Sequence, residues 1–177
     1  MDTPPEIPFV LDDGAVDELP ASNQATARKA KAILQELEPA RFRDPGSARG
    51  TIAAAFAEKG FVVYGKAFDV VELTDPAVIL SEPSSVKIGI EKKTICLVEV
   101  KSTSGERDDE FRNHFFSLST AELLVAQSLK DLYKFAFVNT TTKGYRLVTL
   151  KQVYERAKAI YPTWSIRFDD GAFSDDP

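Results

Sequence analysis

Cysteine and histidine are almost missing from this 177-residue sequence, which holds one of each, Cys96 and His114. A single cysteine excludes an internal disulfide and a cysteine-based zinc cluster, and is what a reducing, cytoplasmic setting leads one to expect. No apolar run approaches the roughly 20 residues that cross a bilayer, so no membrane partner is expected. The opening MDTPPEIPFV has neither the basic patch nor the apolar stretch of a signal peptide. Also missing are a phosphate-cradling glycine loop, a Ser-His-Asp arrangement, zinc-ligand spacing, internal repeats and low-complexity tracts.

What is present fits one globular domain. Hydrophobic residues make up 44% and charged residues 28%, enough for a real core. The net charge of −5 is unevenly spread. Residues 1–20 hold six acids and four prolines without a Lys or Arg, and residues 169–177 hold four acids, again without a base. That leaves 22 bases against 17 acids in residues 21–168, or +5. The organisation expected is an acidic flexible arm (1–20), a single domain (21–168) and an acidic tail (169–177). The mildly basic body permits phosphate binding, as does an ordinary solvated surface.

Helical spacing of Ala27, Ala30, Ile33, Leu34 and Leu37 predicts a helix over residues 23–38, stopped by Pro39. A turn-rich connection, RFRDPGSARG, leads to a second helix over 48–59 that Gly60 ends. The segments FVVY, AFDVVEL, AVIL, VKIGI and TICLVEVKS are rich in β-branched and aromatic residues and read as strands, mostly antiparallel. TICLVEV is nearly continuously apolar, as a strand covered on both faces should be. After the polar loop SGERDDEFRNH, Ser119 and Glu122 form a capping box for a helix over 119–131. YKFAFVNT and RLVTL are further strands, a helix follows over 150–160, and WSIRF is a possible last strand. The economical architecture is an α/β (α+β) fold, a mixed central sheet flanked by helices.

The informative residues are Glu99, Val100 and Lys101. Side chains alternate along a strand, so Glu99 and Lys101 share one face. Two charges on one face of a buried-type strand call for pairing or a function. The polar STSGERDDE follows at once, so the pair is expected at the strand's end, where a cleft opens. Phosphodiester hydrolysis needs a hard divalent cation on oxygen ligands and a protein cation near the attacking water. Glu99 and Lys101 supply one of each, and the Val100 carbonyl adds a ligand. A second carboxylate must come from a neighbouring strand. Asp69 is the first choice, with Asp75 and Glu82 as competitors.

The run AFDVVEL, TICLVEVKST and FFSLSTAELLVAQSLKDLYKFAFVNT resembles the PD-(D/E)xK nuclease superfamily. Within it, the likeness is greatest to the domain at the C-terminus of NO VEIN-type proteins, also found in restriction-linked bacterial proteins. The matching residues are Asp69, the Glu99-Val100-Lys101 tripeptide, Phe116 to Ser119 with Glu122, and Tyr133; they span about residues 48–140. No Pro-Asp dipeptide is present, thirty positions separate Asp69 from Glu99, and Gln127 and Tyr133 do not form the Gln-x-x-x-Tyr motif. Glu58 is a candidate for the helix acid some relatives carry.

The resemblance implies a restriction-endonuclease-like core, with Asp69, Glu99 and Lys101 as catalytic residues. Mg²⁺ (or Mn²⁺) would lie on Asp69, Glu99 and Val100. DNA is the implied partner, in a homodimer or a larger restriction or repair assembly. Ser102, Thr103, Arg107, Arg112 and His114 are the candidates for contacting its backbone. A catalytically inactive module on the same core, binding nucleic acid or a protein, is the alternative. Glu122 reads mainly as a cap residue, Cys96 as core and Trp164 as a packing anchor.

Overall fold

The structure, a computed structural model, describes residues 21–105, 111 and 115–161. The arm at 1–20, the tail at 169–177, the WSIRF strand with Trp164, and Arg107, Arg112 and His114 lie outside the described residues.

Five α-helices and five strands make up the regular structure of the described residues. In order they are α1 (Ala21–Leu37), β1 (Phe42–Arg43), α2 (Arg49–Glu58), β2 (Val70–Leu73), α3 (Pro83–Glu91), β3 (Ile95–Thr103), α4 (Thr120–Leu129), β4 (Tyr133–Asn139), β5 (Tyr145–Val148) and α5 (Leu150–Arg156). The strands form one sheet in sequence order, β1-β2-β3-β4-β5. Three of the pairings are antiparallel, and β3 pairs with β4 in parallel. A parallel pair needs a crossover, and α4 supplies it. The protein is therefore α+β with a mixed sheet covered on both faces.

The period of two sorts the central strands onto two cores. Ile95, Leu97, Val71, Leu73, Tyr133, Phe135 and Phe137 face α2, α3, α4 and α5. Val98, Val100, Val70, Ala136 and Val138 face α1, meeting Ala30, Ile33 and Leu34. Residues Ile95 to Val100 are all buried, as the apolar run TICLVEV predicts.

Three expected strands do not form. FVVY (61–64) is irregular, AVIL (77–80) lies in a turn, and VKIGI belongs to α3. Pro83 sits in the first turn of α3, where its missing N–H costs nothing. Val86 and Ile90, four apart, are buried while Ile88 is 49% exposed, a helical and not an alternating pattern. Gly89 lets this helix approach closely: a Cβ there would come within 3.3 Å of methyl groups on Ile95 and Val78. A side chain at Gly89 has to push β3 away, so Gly89→Val should destabilise the fold by about 1–3 kcal/mol, measured as a lowered denaturation midpoint.

β3 also runs further than expected. Ser102 and Thr103 continue the ladder opposite Val138 and Asn139, so Glu99 and Lys101 lie within the strand and not at its end. The two-residue strand β1 forms inside the segment expected to be only a turn-rich connection.

Candidate active site

Two contacts fix the segment that delivers Asp69. The Tyr133 hydroxyl donates to the Ala67 carbonyl at 2.5 Å, from a ring that is fully buried. Arg49 of α2 donates to the carbonyls of Gly65 (2.7 Å) and Phe68, with its guanidinium 4.6 Å from the centre of the Phe68 ring. Tyr133→Phe leaves the buried Ala67 carbonyl unpaired. The expected loss is about 1–3 kcal/mol in chemical denaturation, with the Asp69 segment loosened.

Asp69 then enters β2. Its N–H donates to the Val98 carbonyl at 2.9 Å, and its Oδ2 accepts from the Val100 N–H at 3.0 Å. β2 and β3 pair Val70 with Val98, so one further step sets Asp69 across from Glu99. In a strand the N–H and C=O of one residue point the same way, which directs the Val100 carbonyl toward the Asp69 side of β3. Lys31 of α1 approaches Asp69 Oδ1 at 3.6 Å.

Glu99 and Lys101 share the face covered by α4, as the two-residue spacing predicts. Lys101 Nζ lies 3.2 Å from Glu99 Oε1 and 2.7 Å from Glu122 Oε2. All three side chains are at most 15% exposed. Glu122 has a double role. It closes the capping box, accepting the Ser119 N–H at 3.1 Å while the Ser119 hydroxyl accepts the Glu122 N–H at 3.2 Å. The same Oε2 holds the lysine. The cap of α4 is thereby tied to the central strand.

Burial pushes the Glu99 carboxyl well above its ordinary value of 4.5. Asp69 and Glu122 add to the rise, and Lys101 opposes it. For Lys101, burial alone lowers the pKa, but Glu99 and Glu122 outweigh it and hold the ammonium protonated. Burial also raises the Tyr133 phenol, with Glu99, Glu122 and Asp69 contributing, so its hydroxyl remains a donor. Lys101 thus pairs with Glu99 and Glu122, and Lys31 with Asp69.

The remaining sequence candidates are placed elsewhere. Asp75 caps a local turn by accepting the Ala77 N–H at 2.9 Å, and Glu82 precedes the first turn of α3. Both follow Leu73, which pairs with Ile95 at the opposite end of β3 from Lys101. Glu58 pairs with Lys87 of α3. Ser102 alternates to the α1 face, away from Lys101. The Thr103 hydroxyl accepts the Gly105 N–H at 3.4 Å, and its carbonyl accepts from Thr140 at 2.8 Å. Among the described residues, no three His, Cys, Asp or Glu side chains group so as to hold a metal by themselves. Magnesium does not require that, since one or two carboxylates with water and phosphate oxygens are its usual set. Asp69, Glu99 and the Val100 carbonyl are oxygen donors of the kind such a set uses.

A second charged cluster occupies the α1 face. Glu72, only 1% exposed, accepts from Arg41 at 2.8 and 2.5 Å and from Lys134 at 2.7 Å. It lines a groove of about 560 Å³ with Thr74, Lys93, Cys96 and Asp131. Each Glu72 oxygen is matched by a cation, so the cluster is a satisfied buried ion network. Cys96 is core, as expected, and burial pushes its thiol far above the ordinary range.

Comparison with known proteins returns no match: no family model, no curated protein and no solved structure corresponds to this chain. No helix among the described residues is long and apolar enough to cross a membrane.

Proposed function

We propose that this chain is a Mg²⁺-dependent DNA endonuclease-like domain built on a PD-(D/E)xK, restriction-endonuclease-like core. One observation carries the reading: a buried Glu99 and Lys101 on one face of the central strand, with the Asp69 carboxylate bonded across to Val100 between them. Asp69, Glu99 and the Val100 carbonyl would hold Mg²⁺ or Mn²⁺. Such an ion, when bound, polarises the scissile phosphate and neutralises the charge that builds on it. Lys101 orients the attacking water and stabilises that developing charge. Glu122 is a positioning residue that fixes the ammonium, and α4 fixes Glu122 through the Ser119 cap.

The rival reading, a module on this core that binds without cleaving, is favoured by one feature. The Lys101 ammonium is already held by two carboxylates, which is how a purely structural ion cluster looks. Incubation with plasmid and with single-stranded DNA in Mg²⁺ or Mn²⁺ separates the two. Cleavage is expected from the parent chain and not from Lys101→Ala. Cleavage that persists in Lys101→Ala removes the nuclease assignment, and a parent chain inert with both metals leaves the binding module.

A further inference from the structure

Two segments distant in sequence bring aromatic rings together at the surface. Phe115 is 74% exposed and Tyr161 is 70% exposed, yet their ring centres lie 6.3 Å apart at a tilt of 42°. Rings this exposed contribute little to the fold, because an aromatic side chain stabilises by the area it buries. The next residue shows the contrast. Phe116 packs edge-on against Phe137 at 4.5 Å, and Phe137 is the register partner of Lys101 on β4. Phe115 is also four residues from Ser119, whose amide is bonded to the Glu122 oxygen that holds Lys101. Phe115 therefore lies a few residues along the chain from the cap that holds the candidate site's lysine. Arg156 and Lys158, both exposed, stand on the segment leading to Tyr161.

Exposed rings, one of them on a segment that also carries two exposed cations, match one ligand chemistry well. In a single-stranded polynucleotide the bases are free to stack on aromatic side chains while the phosphates meet Lys and Arg. A duplex keeps its base faces stacked on one another and offers the rings nothing. A protein-docking core, by contrast, is depleted in lysine. We propose that Phe115 and Tyr161 form a base-stacking platform, with Arg156 and Lys158 as its phosphate contacts, that makes a single-stranded polynucleotide the ligand of this protein. Cleavage of that strand rests on the nuclease reading above; its binding does not.

The test uses the full chain in EDTA, so that binding is read without cleavage. Fluorescence anisotropy follows a labelled oligothymidine strand and a duplex of equal length. The single strand should bind at least about ten-fold more tightly than the duplex. The Phe115→Leu/Tyr161→Leu double variant keeps apolar bulk but loses the ring faces, and should lose about ten-fold or more on the single strand. Arg156→Gln/Lys158→Gln should flatten the salt dependence of binding. Duplex bound as tightly as single strand, a leucine variant that binds like the parent, or no binding of either form overturns the platform. The last of these is what a protein-docking spot would give. A parent chain that binds through the rings but never cleaves overturns the nuclease reading alone. A parent chain that cleaves while its binding ignores the rings overturns the platform alone.

Discussion

Glu99→Gln should abolish cleavage while making the metal-free protein more stable. The carboxylate supplies a cation ligand that an amide replaces poorly. Losing several kcal/mol of transition-state stabilisation lowers the rate on the order of 10³-fold. The fold responds in the other direction. Burial, Asp69 and Glu122 all oppose a charged Glu99, so its folded pKa stands above the unfolded value near 4.5. A raised carboxyl binds more protons folded than unfolded. Its contribution to stability is thus fully present below the unfolded pKa and is lost as the pH rises through the folded one. The amide has no proton to lose, so the variant should lack this decline. Near neutral pH it should gain roughly 0.5–2 kcal/mol, because Lys101 keeps Glu122 Oε2 as its partner while the opposed charge is gone. Denaturation curves across pH in EDTA read the gain, and the same pH series with Mg²⁺ should show parent cleavage rising as Glu99 deprotonates. A glutamine variant that is destabilised at every pH would mean that the Glu99 charge belongs to the fold alone.

The second large effect is expected at Lys101. Lys101→Met keeps most of the side-chain volume and removes the ammonium between Glu99 Oε1 and Glu122 Oε2. Breaking a buried ion pair from one side costs about 3–5 kcal/mol, because the remaining charges lose their partner. Glu99 can relieve part of this by taking up a proton. The loss should therefore be largest at neutral and alkaline pH and shrink as the pH falls toward the ordinary carboxyl range. Cleavage should fall by about 10²–10³-fold or more, the cost of removing one preorganised charge from a developing oxyanion. Adding Glu122→Gln to Lys101→Met takes away one of the two stranded carboxylates and should recover stability without recovering activity. Were the double variant less stable than Lys101→Met, the coupling between these residues would not be the electrostatic one described.

The strands and helices legible in the sequence were those whose local and tertiary signals agree. β3 is apolar almost throughout because both faces are covered, and α4 is announced by its Ser119–Glu122 box. VKIGI misleads because its β-branched residues suggest a strand, while Pro83 and the Val86–Ile90 spacing belong to a helix packed on α2. β1 is two residues long and exists only because β2 offers it an edge, a condition that local sequence does not carry. The same division holds at the site. The shared face of Glu99 and Lys101 follows from the strand period alone. The bond between Glu122 and Lys101 does not, because the capping box already accounts for Glu122 in local terms and its partner is 21 residues away. Lys31 looks like any solvated helix lysine until α1 is laid across β3. Tyr133 reads as one aromatic in a strand, and only the fold puts its hydroxyl on the Ala67 carbonyl.

The most direct measurement is calorimetric titration of the full chain with Mn²⁺, beside Glu99→Gln and Asp69→Asn. If Asp69 and Glu99 share a cation, the parent binds one equivalent with release of protons from the site, and each variant loses that binding. A parent that takes up no Mn²⁺, or variants that bind it as the parent does, would contradict the shared-cation site.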